Sequence, residues 1–335
     1  MSLFPSWSVK MNVLGIETSC DETAAAIVKS GKTVLANVVS SSLNFHKKYG
    51  GIVPEIAFRK QLETITQVVD SALKEAGMSL ADIDLLSVTE GPGLLGSLLV
   101  GISFAKALSL SRDIPLVGVN HLYSHIYAGF LNSKIADFPF VSLVVSGGHT
   151  SLYYVPALNK ISLLGSTLDD ACGEAFDKVA RILKLGYPGG PEIEKKALCG
   201  NPKKINFACS NTRKPLDFSF SGIKTAVLYY VQKDHKSHVT SHTSDVADIC
   251  ASFQESALNT LVEKSLLACR MKKVKTIVVG GGVAANSALR EKFNLSFTRM
   301  KLKVIFPKKE FSMDNAAMVA GLGYWLYKSK ERTRK

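Results

Sequence analysis

The chain lacks several signatures that would settle its class at once. Its six cysteines (20, 172, 199, 209, 250 and 269) include no C-x-x-C pair. That spacing excludes a zinc ribbon and a disulfide framework and fits reduced thiols in a reducing compartment. No window reaches the roughly 18 uninterrupted apolar residues of a membrane span. The most apolar stretch, residues 93–110, is broken by Ser97, Ser103 and Lys106 and reads as a buried helix. The opening MSLFPSWSVK has neither a signal-type apolar core nor an Arg-rich face, so residues 1–10 read as a tail or a mis-called start before Met11. The Gly-rich turn VVGGGVAAN is not G-x-G-x-x-G, and the chain has no H-E-x-x-H.

Acidic residues are also scarce, 28 against 41 Lys and Arg, for a net charge of +13. An excess of this size points to a polyanionic partner such as nucleic acid or an anionic surface, although a lysine-rich codon bias produces the same excess. Hydrophobic residues make up 46% of 335, enough to build a sizeable core in two lobes rather than one.

Strand and helix signals alternate, which indicates an α/β chain. VLGIET ends in the polar turn SCDET, and two strands follow around Ser30-Gly31. The same layout of strand, Gly/Ser/Thr turn and strands recurs over residues 140–167. A strand–polar turn–strand unit at the head of each half is the plan of the two-lobed actin-like ATPase (actin, sugar kinase, Hsp70) fold, with duplicated lobes and a central cleft. The expected organisation is a tail over 1–10, a first lobe from 11–136 plus 312–330, a second lobe from 137–311 and a basic tail over 331–335. Helices are predicted over 59–77, with Leu62, Ile65, Val68, Val69, Ala72 and Leu73 on one face, and over 121–131, 251–271 and the C-terminal stretch. Residues 233–245, with three of the seven histidines, read as a solvated polar loop.

The chemistry-bearing residues begin with NHLYSHIY. His121 and His125 stand four apart on one helical face, so both imidazoles can reach one ion. Alone the pair is as consistent with two polar helix residues. Leu122 occupies the position where a zincin protease carries its catalytic Glu, which argues against peptide hydrolysis. A third, oxygen ligand must come from elsewhere, and Asp314 before the last helix is a candidate. Two Gly-rich turns, SGGHT and VVGGGVAAN, offer bare backbone N–H groups suited to a phosphate or a flat ligand, or serve as tight strand–helix turns. Asp169, Asp170, Glu174 and Asp177 cluster near a helix start, where acidic residues also satisfy the helix dipole. Cys172 reads as a packing residue, and Lys224 as facing either an anion or solvent.

These segments occur together and in order. GIETSCDET, HKKYGGIVPE, TEGPGLLGSLLVG, NHLYSH, LVVSGGHT, DDACGEAFDK, YPGGP, FSFSGIKTA, GGGVAAN and MDNAAM resemble the TsaD family, the tRNA N6-adenosine threonylcarbamoyltransferases, from about Val13 to Tyr327. The resemblance is to the bacterial and organellar branch. It implies transfer of the threonylcarbamoyl group from L-threonylcarbamoyl-AMP to N6 of adenosine 37 in tRNAs reading ANN codons, with release of AMP. It implies one divalent ion per subunit on His121, His125 and Asp314, Fe2+ being the family's usual ion and Zn2+ or Mg2+ the alternatives. It also implies substrate contacts at Val144, Val145, Ser146, Gly147, Gly148, Asp177, Gly190 and Asn286. Asp21 and Glu22 are candidates for the base. TsaB- and TsaE-type partners, or a homodimer without them, and a cytoplasmic location without a membrane follow in the same way. The readings left beside it are a small-molecule kinase or ATPase of the same architecture and, less well supported, a metalloprotease. Lys47, Lys48, Arg59, Lys60 and the basic C-terminus are the expected tRNA contacts.

Overall fold

The computed structural model describes residues 10–133, 136–236 and 243–333. The chain divides into two compact units. The first takes the described residues through His46, from Ile52 through 133, and from Asp314 onward; the second takes Lys47–Gly51 and Ala136–Met313. Lys47–Gly51 thus group with the second unit although they lie within the first half of the sequence.

The first unit carries β1 (Asn12–Glu17), β2 (Glu22–Lys29), β3 (Thr33–Ser41), the short helix α1 (Leu43–His46), α2 (Pro54–Glu75), β4 (Leu85–Gly91), α3 (Leu95–Arg112), β5 (Leu116–Asn120) and α4 (His121–Ala128). The second carries β6 (Phe140–Val145), β7 (Thr150–Ala157), β8 (Lys160–Ser166), α5 (Cys172–Ile182), α6 (Gly189–Ala197), α7 (Ser221–Lys236), α8 (Thr243–Lys272), β9 (Thr276–Gly280), α9 (Ser287–Arg299) and β10 (Lys303–Ile305). The last helix, α10 (Ala316–Thr333), returns to the first unit.

The sheet of the first unit has the order β3-β2-β1-β4-β5, and that of the second β10-β9-β6-β7-β8. In each, three successive strands form an antiparallel meander and two later strands add in parallel beside the first. The duplication visible in the sequence layout is therefore one topology used twice. Strand β1 is buried along nearly all its length because helices cover both faces, so its residues read as an apolar run rather than an alternation. Leu14 and Ile16 pack with Val68, Val69, Ile65 and Val100 of α2 and α3. On the other face α10 comes so close to Gly15 that a Cβ there would clash with Ala316 and Ala320. In the second unit one core joins β6, β7 and β9 to α5, α7, α8 and α9 through Phe176, Phe253, Phe293 and their neighbours.

Three sequence expectations change. Leu62 is 60% exposed, and the core position beside it belongs to Gln61, which is fully buried. Residues 93–110 are not a buried helix: Ser97, Leu98, Val100, Gly101 and Ala105 of α3 face inward, while Leu95, Leu99 and Leu110 are exposed. Small residues on the packed side let α3 sit close to the β1–β2 turn, and Gly101 lies against Thr18. α3 is also long and apolar enough by composition to cross a membrane. Of the polar loop expected over 233–245, residues 233–236 and 243–245 continue α7 and α8, and 237–242, with His238 and His242, lie outside the described residues.

Candidate metal centre and glycine loops

The carboxyl ends of β1, β4 and β5 deliver Glu17, Thr89 and Asn120 to one region of the first unit. Binding groups gather there in open α/β sheets because the strand ends leave loops and helix starts free to hold side chains. Asn120 caps α4: its Oδ1 accepts from the N–H of Leu122 at 3.0 Å and of Tyr123 at 3.2 Å. That cap fixes where α4 begins and turns His121 and His125 inward, both buried. Their rings meet edge to face at 4.7 Å. Asp314, just before α10, arrives from the far end of the sequence. Its Oδ1 lies 3.0 Å from His125 Nε2 and 3.7 Å from His121 Nε2. Asn315 next to it caps α10 by accepting from Met318 N at 3.1 Å.

These three side chains form a set whose ligand atoms all lie within 4.8 Å of one another. Metal–ligand bonds of about 2 Å in tetrahedral or octahedral geometry put donors roughly 3.0–3.4 Å apart, so the 3.0 and 3.7 Å spacings suit a shared ion. The chemistry fits too: two neutral imidazole nitrogens and one carboxylate suit Fe2+ and Zn2+ better than Mg2+, which favours oxygen. His125 Nδ1 is buried without a hydrogen-bond partner, so Nε2 is the nitrogen turned to Asp314.

Behind His121 stands a residue the sequence reading passed over. Glu17, buried, accepts at Oε2 from Thr89 Oγ1 at 2.6 Å and pairs with His121 Nδ1 at 3.0 Å. Its Oε1 accepts from Ser19 N at 2.5 Å, and Ser19 Oγ lies 3.1 Å from the same imidazole nitrogen. A carboxylate behind a ligating histidine fixes the ring and leaves the far nitrogen for the ion. Burial would lift the Glu17 carboxyl, but His121 holds it below the usual range. Burial would depress His121, yet Glu17 and Asp314 push it up to about 9. The only signal in the sequence was an acidic residue ending a strand that is otherwise apolar.

Asp21 lies on the β1–β2 turn of the same unit and Glu22 opens β2. Burial, with Asp314 and Asp21 nearby, pushes the Glu22 carboxyl up to about 10. The turn is clamped from α2: Gln61 Nε2 donates to the carbonyls of Thr18, Cys20 and Glu22 at 3.3, 3.1 and 2.9 Å. Ser97 of α3 adds a bond from Oγ to Cys20 O at 3.0 Å.

The second unit brings together the remaining predicted positions. Val144 and Val145 end β6, and Ser146–His149 close a tight turn through Ser146 N to His149 O at 2.8 Å. Gly147, Gly148, Gly190 and Gly282 each face open space where a Cβ would stand. Gly281, at φ +94°, runs against the Val145 carbonyl and joins the two glycine turns. Asp177 and Asn286 use their side chains to shape loops. Asp177 Oδ1 accepts from Gly189 N at 2.7 Å and so sets the start of α6, while burial lifts its carboxyl. Asn286 caps α9 through Leu289 N at 2.9 Å and donates to Gln254 Oε1 at 3.0 Å. Glu194 of α6 accepts from Ser287 N at 2.7 Å at the same helix start.

The acidic group at the head of α5 is satisfied locally. Asp169 accepts from Ser219, Phe220 and Ser221, at 2.6 Å from the Ser219 hydroxyl, and Asp170 pairs with Lys178 at 2.6 Å and Lys224 at 2.9 Å. Lys224 therefore faces an anion of the chain itself. Cys172 is fully buried in the core, as a packing residue should be.

Comparison with known proteins gives these geometries a context. The model of the TsaD family, tRNA N6-adenosine threonylcarbamoyltransferase, matches residues 33–321. A protein of that name from Symbiobacterium thermophilum is 51% identical over 96% of this chain and 93% of its own. One from Thermosipho africanus is 52% identical over 95% of each. Among solved structures, component A of (R)-2-hydroxyglutaryl-CoA dehydratase from Acidaminococcus fermentans superposes with a TM-score of 0.57 at 16% identity, covering 95% of this chain and 99% of that one. A ROK hexokinase from Thermus thermophilus gives 0.51 at 15% identity, covering 95% and 100%. At such identities these likenesses establish the fold, which is the actin-like ATPase and sugar-kinase architecture expected from the sequence.

Proposed function

The chain belongs to the TsaD family of tRNA N6-adenosine threonylcarbamoyltransferases, and from that premise we propose how its residues divide the work of acyl transfer to tRNA. The donor is L-threonylcarbamoyl-AMP. A bond forms between N6 of adenosine 37 and the carbamoyl carbon, the mixed-anhydride C–O bond breaks, and AMP leaves with the electron pair. His121, His125 and Asp314 would hold one divalent ion, Fe2+ being the family's usual one and Zn2+ an equal fit to the donor set. When bound, the ion supplies a Lewis acid for the carbonyl oxygen that gains charge as the amine attacks. Glu17 and Thr89 keep the His121 ring turned so that Nε2 serves the ion. Ser146 contributes its hydroxyl, and Gly147, Gly148, Gly190 and Gly282 contribute bare backbone surface, for the adenylate, while Asp177 and Asn286 hold those loops in shape.

The proton lost by the attacking amine goes to Asp21. Glu22 is not available for that role at neutral pH, because a carboxyl pushed up to about 10 already carries its own proton. Asp21→Asn with an unchanged single-turnover rate would remove this assignment.

The observation that carries the reading is the meeting of Asp314 with His125, 189 residues away in sequence, at 3.0 Å. A sugar kinase or ATPase of the same architecture needs no such triad. TsaB- and TsaE-type proteins are the proposed helpers, and the exposed Leu95, Leu99 and Leu110 of α3 support a protein partner on that helix. The proposed location is the cytoplasm, where tRNA is found.

The test is purified protein with unmodified tRNA and L-threonylcarbamoyl-AMP, with and without helpers, and with elemental analysis of the ion. Modified adenosine and stoichiometric AMP are expected. Turnover of ATP with sugars, and no modified adenosine under any condition, would overturn the reading.

A further inference from the structure

The segments expected to meet tRNA are largely engaged with the chain itself. Arg59 pairs with Glu55 at 2.6 Å, and Lys60 pairs with Glu63 at 2.7 Å and lies over the Phe45 ring. The second unit has cations of a different kind. Where α8 ends and β9 begins stand Arg270, Lys272, Lys273 and Lys275. Where α9 ends and β10 begins stand Arg299, Lys301 and Lys303. The sheet joins the two turns: Lys303 pairs with Thr276 in register, and its N–H donates to the Lys275 carbonyl at 2.8 Å. Arg270 also reaches Met300 Sδ at 4.0 Å. All seven side chains are exposed.

No acidic residue occurs between Lys264 and Arg290 or between Lys292 and Lys309. Among the described residues none of the seven cations forms an ion pair; Lys272 rests over the Tyr154 ring at 5.1 Å. Helix C-termini favour cations, and charge on the edge strand β10 discourages strand pairing, so one or two lysines need no further reason. Seven without a neutralising carboxylate do. The two turns also put lysine at φ +53° and +55°, Lys273 and Lys301, where glycine is the least strained choice.

The patch lies at the amino ends of β9 and β10. The glycine turn at Gly280–Gly282 lies at the other end of β9, about 13 Å away along the strand. Phosphates that meet the patch are therefore not those next to the base at the adenylate loops. Resting on the reading above that tRNA is the acceptor, we propose that this basic edge of the second unit binds the sugar–phosphate backbone of tRNA at a distance from adenosine 37. It adds affinity without touching the reacting groups.

The experiment compares wild type with the variant Lys273→Gln/Lys275→Gln/Lys301→Gln/Lys303→Gln. Circular dichroism and metal content confirm the fold. Binding is measured directly, by anisotropy against salt, for whole unmodified tRNA and for the isolated anticodon stem-loop; transfer is measured in parallel. For whole tRNA the variant is expected to bind about tenfold or more weakly near 0.1 M salt, with a log–log salt slope shallower by about 3. Its kcat at saturating tRNA should match wild type, and its loss on the stem-loop should not exceed that on whole tRNA. Unchanged affinity and slope for whole tRNA, or a larger loss on the stem-loop, would overturn the proposal. Wild type that binds tRNA but transfers nothing would sink the functional reading instead, and the patch would still be judged by binding.

Discussion

The candidate metal triad of the first unit and the glycine turns of the second are built on opposite principles. In the triad every side chain is held by another side chain: Glu17 by Thr89, His121 by Glu17, and His125 and Asp314 by each other. In the turns the working groups are backbone, and side chains such as Asp177 and Asn286 only shape it. Yet both sit on the same strand order, at the carboxyl ends of the parallel strands. One topology thus offers two kinds of site. Polar residues at a strand end give a rigid donor set, and glycines there give a surface that a flat anionic ligand can approach.

The sharpest way to break the comparison is to remove a donor. Asp314→Ala should abolish both ion binding and transfer while leaving circular dichroism unchanged, because Asp314 is only half-buried. The loss should exceed that from any residue behind the ligands. Glu17→Gln comes next. It keeps the shape but removes the charge behind His121, so affinity for Zn2+ in a chelator competition should fall about 10–100-fold. Unchanged affinity would mean that the donor set does not depend on the side chains behind it, and the contrast with the glycine turns would be lost.

The sequence showed the candidate ligands better than it showed what holds them. His121 and His125 announce themselves by spacing, and the TsaD-like motifs supply Asp314. Glu17 and Gln61 were passed over because each is a polar residue inside an apolar pattern, and pattern reading assigns such positions to solvent. Gln61 in fact took the buried place expected for Leu62. Similarly, the apolar stretch of α3 was expected inside, but its small residues face the β1–β2 turn and its large ones face out. The order of the strands within each sheet came only with the structure; the duplication was legible because each half opens with the same succession of strand and turn. The basic edge at residues 270–303 was not, since its two turns lie far apart in sequence and meet only through β9–β10 pairing.

The glycine turns can be separated residue by residue. Gly281→Ala places a Cβ against the Val145 carbonyl at a φ that only glycine adopts easily. It should cost about 1–3 kcal/mol of stability, read as a lower Tm. Gly282→Ala meets nothing within 4 Å. It should leave Tm within the ±0.5 kcal/mol of an ordinary surface change, yet weaken AMP binding measured by calorimetry. If both variants lost stability equally, the bare surface at Gly282 would be packing and not a ligand platform.

A pH-dependent effect tests the electrostatics of the β1–β2 turn. In the folded chain Glu22 keeps its proton up to about 10, because burial and the nearby Asp314 and Asp21 oppose its charge. In the unfolded chain it gives that proton up near the ordinary glutamate value, about 4.3. Between those values the folded state binds more protons than the unfolded state, so the group's contribution to stability falls as pH rises. Glu22→Gln removes the titration but keeps a polar side chain of the same length. In chelator-treated protein its Tm should therefore match wild type near pH 4, where both states are protonated, and exceed it by a growing margin as pH rises toward 9. A Tm difference that stayed flat with pH would show that Glu22 titrates normally. The turn would then be no less open to water than a surface loop, and Glu22 would regain equal standing with Asp21 as the base.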